Sequence, residues 1–549
     1  MRSLRSLIPW LALGAGSLSV SVALSASTSP SSDDLAARQV RAHTTFLADD
    51  LLEGRGTGTR GHALAARYVA SQFLRLGLQP AGDSGTFDQT VPLIEATEQI
   101  EAGRFLLRRA GSPDVSLQAS TDVLVRVAAG QTEGRIEAPA VFVGYGVRAP
   151  EFDHDDFQGI DLTGKIAVVL SGAPSRFPAD PRAYYASEKL TGIAARGAVG
   201  VVTLITPRDL AQAPWAFVAA QSRFPRMRLL DAQGRIVDSA PGIKVTAVVG
   251  THAANTLFAG TAHTAEALFA AAEAGPSPRF ALDATIELSA AATFHRIESL
   301  NVLGLLPGSD ARLAGEPIVV TAHLDHLGIG PEVKGDKLYN GAMDNAIGTA
   351  LLLVMAEQLG AGAPLPRPVL FAAVTAEEKG LLGARHLSLN PPAGVRRYLA
   401  NVNFDMAMFP VPTRELVGWG AIHSSLGTTL AQVAGRQQFT VSPDPIPDEA
   451  IFVRSDQYAF IREGVPALFL STWPTVDPTG PAGSDPSGRF LQERYHKPND
   501  DLLQPIDWPS TGAFVRVARD LVQTVAESPE PPDWLPGNFF GLTFGQKRR

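Results

Sequence analysis

Hydrophobic positions in the second half of the chain alternate between short apolar runs and longer stretches with helical spacing. Runs typical of buried strands occupy positions 318–322, 369–374, 399–404 and 467–470. Residues 345–359 repeat apolar side chains at helical spacing, and residues 510–526 predict a terminal helix. This alternation predicts an α/β fold with a mostly parallel, mixed sheet and helices on both faces.

The middle of the chain, residues 118–282, has a different pattern and is expected to form a β-rich inserted domain. Short β-rich runs are separated there by Gly, Pro and Asp clusters, at positions 140–143, 165–170 and 199–205. The one dense polar cluster of this region consists of His154, Asp155 and Asp156. Its turn-like context favours a loop over a metal site. The flanking residues 35–117 and 290–527 are expected to form one domain around the insertion.

Two helices are predicted near the N-terminus, over residues 34–51 and 65–76. Between them lies a Gly-rich segment at positions 54–61. It does not follow an apolar strand, so we interpret it as a structural turn and not as a phosphate cradle. At the other end, the tail at positions 528–549 is rich in Pro and Gly and is expected to extend over the surface.

The first 25 residues are predicted to be a secretory signal peptide. Arg2 and Arg5 precede an uncharged, largely apolar stretch that runs from position 7 to about position 24. Small residues then stand where a signal peptidase cuts, which predicts cleavage near Ser25. An uncleaved membrane anchor is the alternative. The mature protein is therefore expected to be secreted or periplasmic, with no membrane partner.

Composition narrows the chemistry that is available to this chain. It contains no cysteine, so disulfides and thiolate ligands are excluded, and a metal must be bound by His, Asp and Glu. The formal net charge is −8, and no basic cluster stands out. Nucleic acids and anionic membrane surfaces are therefore not expected as partners.

Polar residues with metal-binding chemistry follow the predicted strands. They are His323, Asp325, Asp344, Glu377, Glu378, Asp405 and His496. Ligands of open α/β sheets cluster beyond the carboxyl ends of the strands, so we expect these segments to converge although they are far apart in sequence. Two histidines and several carboxylates suit zinc or another borderline divalent metal.

The spacing suggests how two metals could be shared among these residues. Asp344 stands before a predicted helix and is the best candidate for a carboxylate that bridges both metals. His323 and Asp405 would then bind one metal, while Glu378 and His496 would bind the other. Each residue taken singly often has only a structural role, but their joint occurrence at strand ends favours a metal site.

Two further residues fit supporting roles. Asp325 lies two positions after His323 and could accept the hydrogen bond from the other ring N–H of that histidine. Glu377 precedes a candidate ligand and could act as general base toward a water molecule at the metal.

In their order along the chain, these motifs resemble the family of secreted bacterial di-zinc aminopeptidases of the leucyl aminopeptidase type. Glutamate carboxypeptidases and the transferrin receptor are related to this family. The matching stretches are LADDLLEGRGTGTRG, AHLDHLG, GDKLYNGAMDNAIGTA, TAEEKGLLGARH, NVNFDM, RSDQYAFIREGVPALF and YHKPNDD. They cover about residues 35–115 and 295–525. The middle region resembles the protease-associated domain that is often inserted in such enzymes, in VFVGYGV, DLTGKIAVVL and GAVGVVTL.

The resemblance implies a zinc exopeptidase fold, two zinc ions per chain and removal of N-terminal residues from peptide substrates. The metal ligands that it implies are His323, Asp344, Glu378, Asp405 and His496. It implies an orienting role for Asp325 and a catalytic-base role for Glu377. It also assigns Tyr495 to stabilisation of the tetrahedral intermediate and Arg454 to substrate binding.

Three alternatives share part of this pattern. A glutamate-releasing carboxypeptidase, or a dipeptidase, would need a cationic pocket for a terminal carboxylate, and no Arg cluster lies near the metal motifs. A single-zinc glutaminyl cyclase would not need the inserted domain. A non-enzymatic receptor would be expected to have lost ligands, whereas all five are present.

Overall fold

A computed structural model of the chain describes residues 31–237, 240–477, 480 and 483–548. The predicted signal peptide lies outside the described residues. Within them, no helix is both long enough and apolar enough to cross a membrane.

The second half of the chain builds a mixed sheet, which is joined at one side by strands from the first half. In spatial order its strands are Arg226–Leu229, Asp88–Glu98, the second half of Arg279–Leu306, Val369–Val374, Ile318–His323, Ala400–Asn403, Ala467–Ser471, Glu415–Trp419 and Thr440–Ser442. The short strand Gln79–Pro80 also pairs with the end of the long strand.

Four central strands of this sheet are parallel, and they position the candidate site. Every residue of Val369–Val374, Ile318–His323, Ala400–Asn403 and Ala467–Ser471 is buried. Strands covered on both faces favour apolar side chains, which explains the apolar runs of three of these strands. Ala400–Asn403 is the exception, and its buried Asn401 and Asn403 side chains are hydrogen-bonded. His323 is in register with Val374, so the carboxyl ends of these two strands lie side by side.

Helices cover both faces of the sheet, so the predicted α/β fold is confirmed. The helices around this sheet are Ser32–Leu47, Arg60–Arg75, Ile347–Gly360, Leu382–Leu389, Leu426–Arg436, Gln457–Ile461, Pro486–Glu493 and Trp508–Glu527. Alternate strand residues point to opposite sides: Val320 packs into the core that contains Ile347–Gly360, and Val319 packs with Ala384 and Phe460. Ile347–Gly360 is almost wholly buried between the sheet, Ser32–Leu47 and Trp508–Glu527.

The middle region forms a second sheet together with residues on either side of it, so Arg104–Arg108 and Val115–Leu117 belong to this sheet and not to the flanking domain in which they were expected. In spatial order its strands are Val115–Leu117, Arg104–Arg108, the first half of Arg279–Leu306, Glu133–Val143, Ile166–Leu170, Gly200–Leu204, Val245–Val249 and Val123–Val127. Helices of this region are Ala179–Ala194, Pro207–Gln212, Trp215–Gln221, Asn255–Phe258 and Ala265–Ala274. Two small two-stranded sheets complete the fold, formed by Arg148–Ala149 with His154–Asp155 and by Gly328–Val333 with Asp336–Tyr339.

The polar cluster of the middle region has protein partners of its own. His154 Nε2 lies 3.0 Å from a carboxylate oxygen of Asp156, and His154 Nδ1 lies 2.9 Å from the Arg176 guanidinium. Among the described residues, this cluster is not one of the places where three ligand atoms come together.

The tail differs from the extended segment expected from its Pro and Gly content, because residues Phe539–Phe544 form a helix. The Asn538 side chain caps this helix by accepting hydrogen bonds from the N–H groups of Phe540 and Gly541. Phe540 is fully buried, with its ring centroid 5.3 Å from that of Phe452. Apolar contact therefore holds the tail against the body of the protein.

This packing predicts a clear effect on stability. Phe540→Ala is expected to lower the free energy of unfolding by about 3–5 kcal/mol, because it leaves a cavity in the core. Leu542→Ala in the same helix is the control, since Leu542 is 73% exposed. Its effect should stay within about 0.5 kcal/mol. Chemical denaturation of both variants measures the difference, and equal midpoints would contradict the docked tail.

Candidate metal centre

The candidate residues converge at the carboxyl edge of the parallel strands. His323 ends the strand Ile318–His323, and Asp405 lies two residues beyond Ala400–Asn403. Glu377 and Glu378 follow Val369–Val374 in the next turn. Asp344 lies in the helical turn Ala342–Ala346 that precedes Ile347–Gly360, and His496 lies in a turn after Pro486–Glu493. Both approach the same edge.

The carboxylate of Asp344 lies between two histidines. Its Oδ1 is 3.3 Å from His323 Nε2, and its Oδ2 is 3.3 Å from His496 Nε2. Asp405 Oδ1 lies 3.2 Å from His323 Nε2, and Glu378 Oε2 lies 3.1 Å from His496 Nε2. Ligand atoms about 2.0–2.1 Å from a tetrahedral zinc ion are themselves about 3.3 Å apart. The side chains therefore form two groups with the spacing of metal ligands, and the groups share Asp344.

A third histidine, which the sequence analysis missed, joins this cluster. His326 Nδ1 lies 2.7 Å from Glu378 Oε1, and its ligand atoms are close enough to those of Asp344 and Glu378 to share an ion. The His326 side chain is fully buried, and among the described residues its Nε2 has no hydrogen-bond partner. It follows Asp325 directly in AHLDHLG, so its position in that motif was the available signal.

The electrostatics of the cluster fit a bound cation. Burial would raise the pKa of Asp344, but the imidazoles of His326 and His323 hold this pKa well below its usual range. Burial would lower the pKa of His323, but the carboxylates of Asp405 and Glu377 hold it well above its usual range. The buried carboxylates therefore need positive charge beside them. A divalent metal supplies that charge and leaves the imidazoles neutral, and the donor set of His, Asp and Glu suits zinc.

Neighbouring groups fix the orientation of the candidate ligands. Ser455 Oγ donates a hydrogen bond to Asp405 Oδ2 at 2.6 Å. The Asp500 carboxylate accepts hydrogen bonds from the N–H groups of Met343 and Asp344, at 2.9 and 3.0 Å. Such outer partners hold metal ligands in their binding geometry. Ser455 lies in the motif RSDQYAFIREGVPALF and Asp500 in YHKPNDD, but their roles depend on contacts that spacing does not reveal.

Asp325 makes a different contact from the one expected. His323 Nδ1 lies 3.0 Å from the backbone oxygen of Asp325, whereas the nearest carboxylate oxygen is 3.9 Å away. The carboxylate instead accepts hydrogen bonds from the Glu377 N–H at 3.2 Å and from the Thr57 hydroxyl at 2.7 Å. The backbone of Asp325 therefore orients His323, and its side chain is directed toward Glu377.

Two buried carboxyl groups near the cluster have raised pKa values. Burial raises the pKa of Glu377 well above its usual range, and the carboxylates of Asp405 and Glu378 add to this effect. Burial likewise raises the pKa of Asp456, and among the described residues neither of its carboxyl oxygens has a hydrogen-bond partner. A raised pKa makes a carboxylate a stronger base, which suits the role of a general base.

The remaining two candidates occupy the surroundings of the cluster. The Tyr495 ring stacks on the His496 ring with centroids 3.8 Å apart. Burial and the nearby carboxylates raise the pKa of the Tyr495 hydroxyl, so it stays protonated and remains able to donate. Arg454 is half exposed, and its guanidinium lies 2.6 Å from a carboxylate oxygen of Glu449.

The backbone at this edge adopts uncommon conformations. The φ angles of Ala376, Met406 and His496 are 55°, 38° and 56°. Non-glycine residues seldom adopt positive φ, and such residues concentrate at functional sites, where the surrounding structure maintains them. Here they stand at or next to Glu377, Asp405 and His496.

Comparison with known proteins agrees with this geometry. Residues 301–522 match the sequence profile of peptidase family M28. The aminopeptidase from Aneurinibacillus sp. strain AM-1 has a similar structure, with a TM-score of 0.51 at 18% sequence identity. The match covers 90% of this chain and 95% of that protein, so the two share a fold.

Two further solved structures align over most of the chain with lower scores. BSAP, a zinc aminopeptidase from Bacillus subtilis, has a TM-score of 0.42 at 17% identity, and the match covers 90% of this chain and 96% of the BSAP chain. The peptidase M28 precursor from Shewanella amazonensis SB2B has a TM-score of 0.44 at 16% identity, with coverages of 92% and 98%. No curated protein matches the sequence. The matched residues 301–522 contain all five candidate metal ligands, His323, Asp344, Glu378, Asp405 and His496.

Proposed function

We propose that this protein is a zinc-dependent exopeptidase that removes N-terminal residues from peptides, with two zinc ions per chain. The observation that carries the proposal is the position of Asp344, whose two carboxylate oxygens each face one histidine at 3.3 Å. His323 and Asp405 complete one metal site, and Glu378 and His496 complete the other. This arrangement provides the bridging carboxylate that a two-metal hydrolase needs.

The protein side chains divide the reaction between them. Zinc, when bound, supplies Lewis-acid polarisation of the scissile carbonyl and lowers the pKa of a water molecule. Glu377 accepts the proton of the attacking water and delivers it to the leaving amine, so the carboxylate is restored at the end of the cycle. The Tyr495 hydroxyl donates a hydrogen bond to the carbonyl oxygen as negative charge develops there.

The charge around the site favours a substrate amine over a substrate carboxylate. The cluster is rich in carboxylates, which attract a free N-terminal ammonium group. Among the described residues, the buried Arg55 guanidinium donates only to backbone carbonyls, and Arg454 is paired with Glu449. Neither arginine is left to bind the terminal carboxylate that a carboxypeptidase or dipeptidase would recognise. We propose that Arg454 acts on the substrate only if this pair opens.

The direction of cleavage is testable with blocked peptides. Acetylation of the N-terminus is expected to abolish cleavage, because it removes the charge that the carboxylates attract. Amidation of the C-terminus of the same peptide is the matched control and should leave the rate nearly unchanged. The rates are measured by chromatography of the products. The opposite pattern would replace the aminopeptidase with a carboxypeptidase, and equal rates on all peptides would indicate an endopeptidase.

The proposal also covers the role of the middle region and the cellular location of the protein. We propose that residues 118–282 act as a protease-associated domain that restricts access to short peptides or free termini. Support comes from the separate core of the middle region and from its ion pairs with the peptidase part, in which Arg182 and Arg208 both contact Asp448. The predicted signal peptide supports a secreted or periplasmic location.

A further inference from the structure

The Gly-rich segment at positions 54–61 contacts the segments that carry the residues of the candidate metal centre. Arg55 is 1% exposed, and its guanidinium donates hydrogen bonds to the carbonyls of Leu324, Asn340 and Gly341 at 2.9, 2.6 and 3.0 Å. It also donates to the carbonyl of Leu47. These acceptors stand just before Asp325 and just before the Asp344 turn. One buried side chain therefore connects the turn to two segments that carry site residues.

Close backbone contacts keep this turn in place. Gly56 forms a bridge with His326, and the His326 N–H donates to the carbonyl of Arg55 at 3.3 Å. Gly54 has a φ of 66°, and a Cβ atom there would lie 2.4 Å from the carbonyl oxygen of Tyr339. Only glycine fits such a position without displacing the backbone. The glycines of the motif thus allow the turn to approach the site closely.

Thr57 extends from this turn to the Asp325 carboxylate. Its hydroxyl donates to Asp325 Oδ2 at 2.7 Å, and the Glu377 N–H donates to Asp325 Oδ1 at 3.2 Å. Thr57 is 5% exposed, and Asp325 is fully buried. Among the described residues, Thr57 is the only hydrogen-bond donor to Oδ2. Buried hydrogen bonds to a carboxylate are strong and directional, so Thr57 sets the rotation of the Asp325 side chain.

Asp325 in turn connects two functional parts of the site. Its backbone carbonyl accepts from His323 Nδ1 at 3.0 Å, and its carboxylate accepts from the backbone of Glu377. A rotated Asp325 carboxylate would release the Glu377 N–H while leaving the backbone contact to His323 intact. The loss would therefore fall on the position of Glu377 more than on the binding of metal.

We propose that Thr57 is a positioning residue for peptide hydrolysis. Its hydroxyl fixes the rotation of the Asp325 carboxylate. That carboxylate accepts the hydrogen bond from the Glu377 N–H and so fixes the position of Glu377 relative to His323. This inference rests on the proposed function, in which Glu377 is the general base. It also gives the Gly-rich turn a role beyond that of a structural connection.

The test compares three variants at Thr57 with a matched buried threonine. Thr57→Val replaces the hydroxyl with a methyl group at nearly constant volume, Thr57→Ala removes both the hydroxyl and the methyl group, and Thr57→Ser keeps the hydroxyl. Thr44→Val is the control, because Thr44 is also buried and donates only to the Val40 carbonyl of its own helix at 2.8 Å. Zinc content, kcat and KM are measured for each purified protein. Thermal unfolding verifies that each variant is folded.

Thr57→Val and Thr57→Ala are expected to lower kcat by about 10- to 100-fold, the usual effect of losing an outer hydrogen-bond partner. KM should change less than about threefold, since the loss falls on the transition state. Zinc content should match that of the unaltered protein. Thr57→Ser should recover most of kcat, and Thr44→Val should keep it.

Three results would overturn the inference. They are a kcat for the folded Thr57→Ala variant equal to that of Thr44→Val, loss of zinc in step with loss of kcat, or failure of Thr57→Ser to recover kcat. Glu377→Gln is measured in the same assay to separate this inference from the proposed function. If Glu377→Gln keeps its kcat, the general-base assignment fails. If Glu377→Gln is inactive while Thr57→Ala is fully active, only the role of Thr57 fails.

Discussion

Removal of zinc is expected to abolish peptide hydrolysis, and added zinc is expected to restore it. The five candidate ligands lie at one buried edge of the sheet, and the proposed reaction needs a Lewis acid at that place. Chelation and dialysis followed by metal analysis give the zinc content, and the rate is measured on the same sample. Full activity after verified removal of metal would overturn the proposed function.

Substitutions of different ligands are expected to remove different amounts of zinc. Asp344→Ala is expected to lower occupancy of both sites, because each oxygen of its carboxylate faces a different group. His496→Ala should affect mainly one site, since His496 lies beside Glu378 and one oxygen of Asp344. Asp336→Ala is the control, because this exposed carboxylate lies in a hairpin outside the cluster. Equal zinc loss in Asp344→Ala and His496→Ala would contradict the bridging role.

The central strands could be predicted because burial on both faces restricts their composition. Val369–Val374 contains only apolar residues, and Ile318–His323 is apolar except for Thr321 and His323, so their apolar runs mark their bounds closely. Once the strands are placed, parallel pairing brings their carboxyl ends together. This is why His323, Glu378 and Asp405 could be expected to meet although they are far apart in sequence.

Contacts between distant segments could not be predicted in the same way. Thr57 and Asp325 are separated by 268 positions, and no periodic pattern links a hydroxyl in one turn to a carboxylate in another. The rotation of Asp325 toward Glu377 is a related case, because spacing cannot distinguish a backbone acceptor from a carboxylate acceptor. His326 was missed because it directly follows Asp325, and its position in AHLDHLG did not by itself distinguish a ligand from a neighbouring residue.

The bounds of the middle region could not be predicted for a different reason. The strand Arg279–Leu306 is continuous, and its first half pairs in the second sheet while its second half pairs in the main sheet. Arg226–Leu229 lies within the middle region of the sequence but pairs with Asp88–Glu98 in the main sheet. Composition changes gradually along such shared strands, so it does not mark where one sheet ends. The helix in the tail was missed because Pro and Gly dominate the residues before it.

The adjacent carboxylates Glu377 and Glu378 are expected to respond differently to the same substitution. Glu378 has Oε1 2.7 Å from His326 Nδ1 and Oε2 3.1 Å from His496 Nε2. Both oxygens face the cluster, as those of a ligand should. Glu378→Gln removes the negative charge there, so it should weaken one zinc site and lower activity through lost occupancy.

Glu377→Gln should instead leave both zinc sites occupied and lower kcat by about 10²–10⁴, the usual contribution of a positioned general base. Glu377 is held through its backbone N–H by Asp325, and burial raises the pKa of its carboxyl group, which suits proton transfer. KM should change little, because an amide of the same shape preserves substrate binding but cannot accept the proton. Excess zinc should restore part of the activity of Glu378→Gln and none of that of Glu377→Gln. If Glu377→Gln regains activity with zinc, the two residues do not have distinct roles, and Glu377 is not the general base.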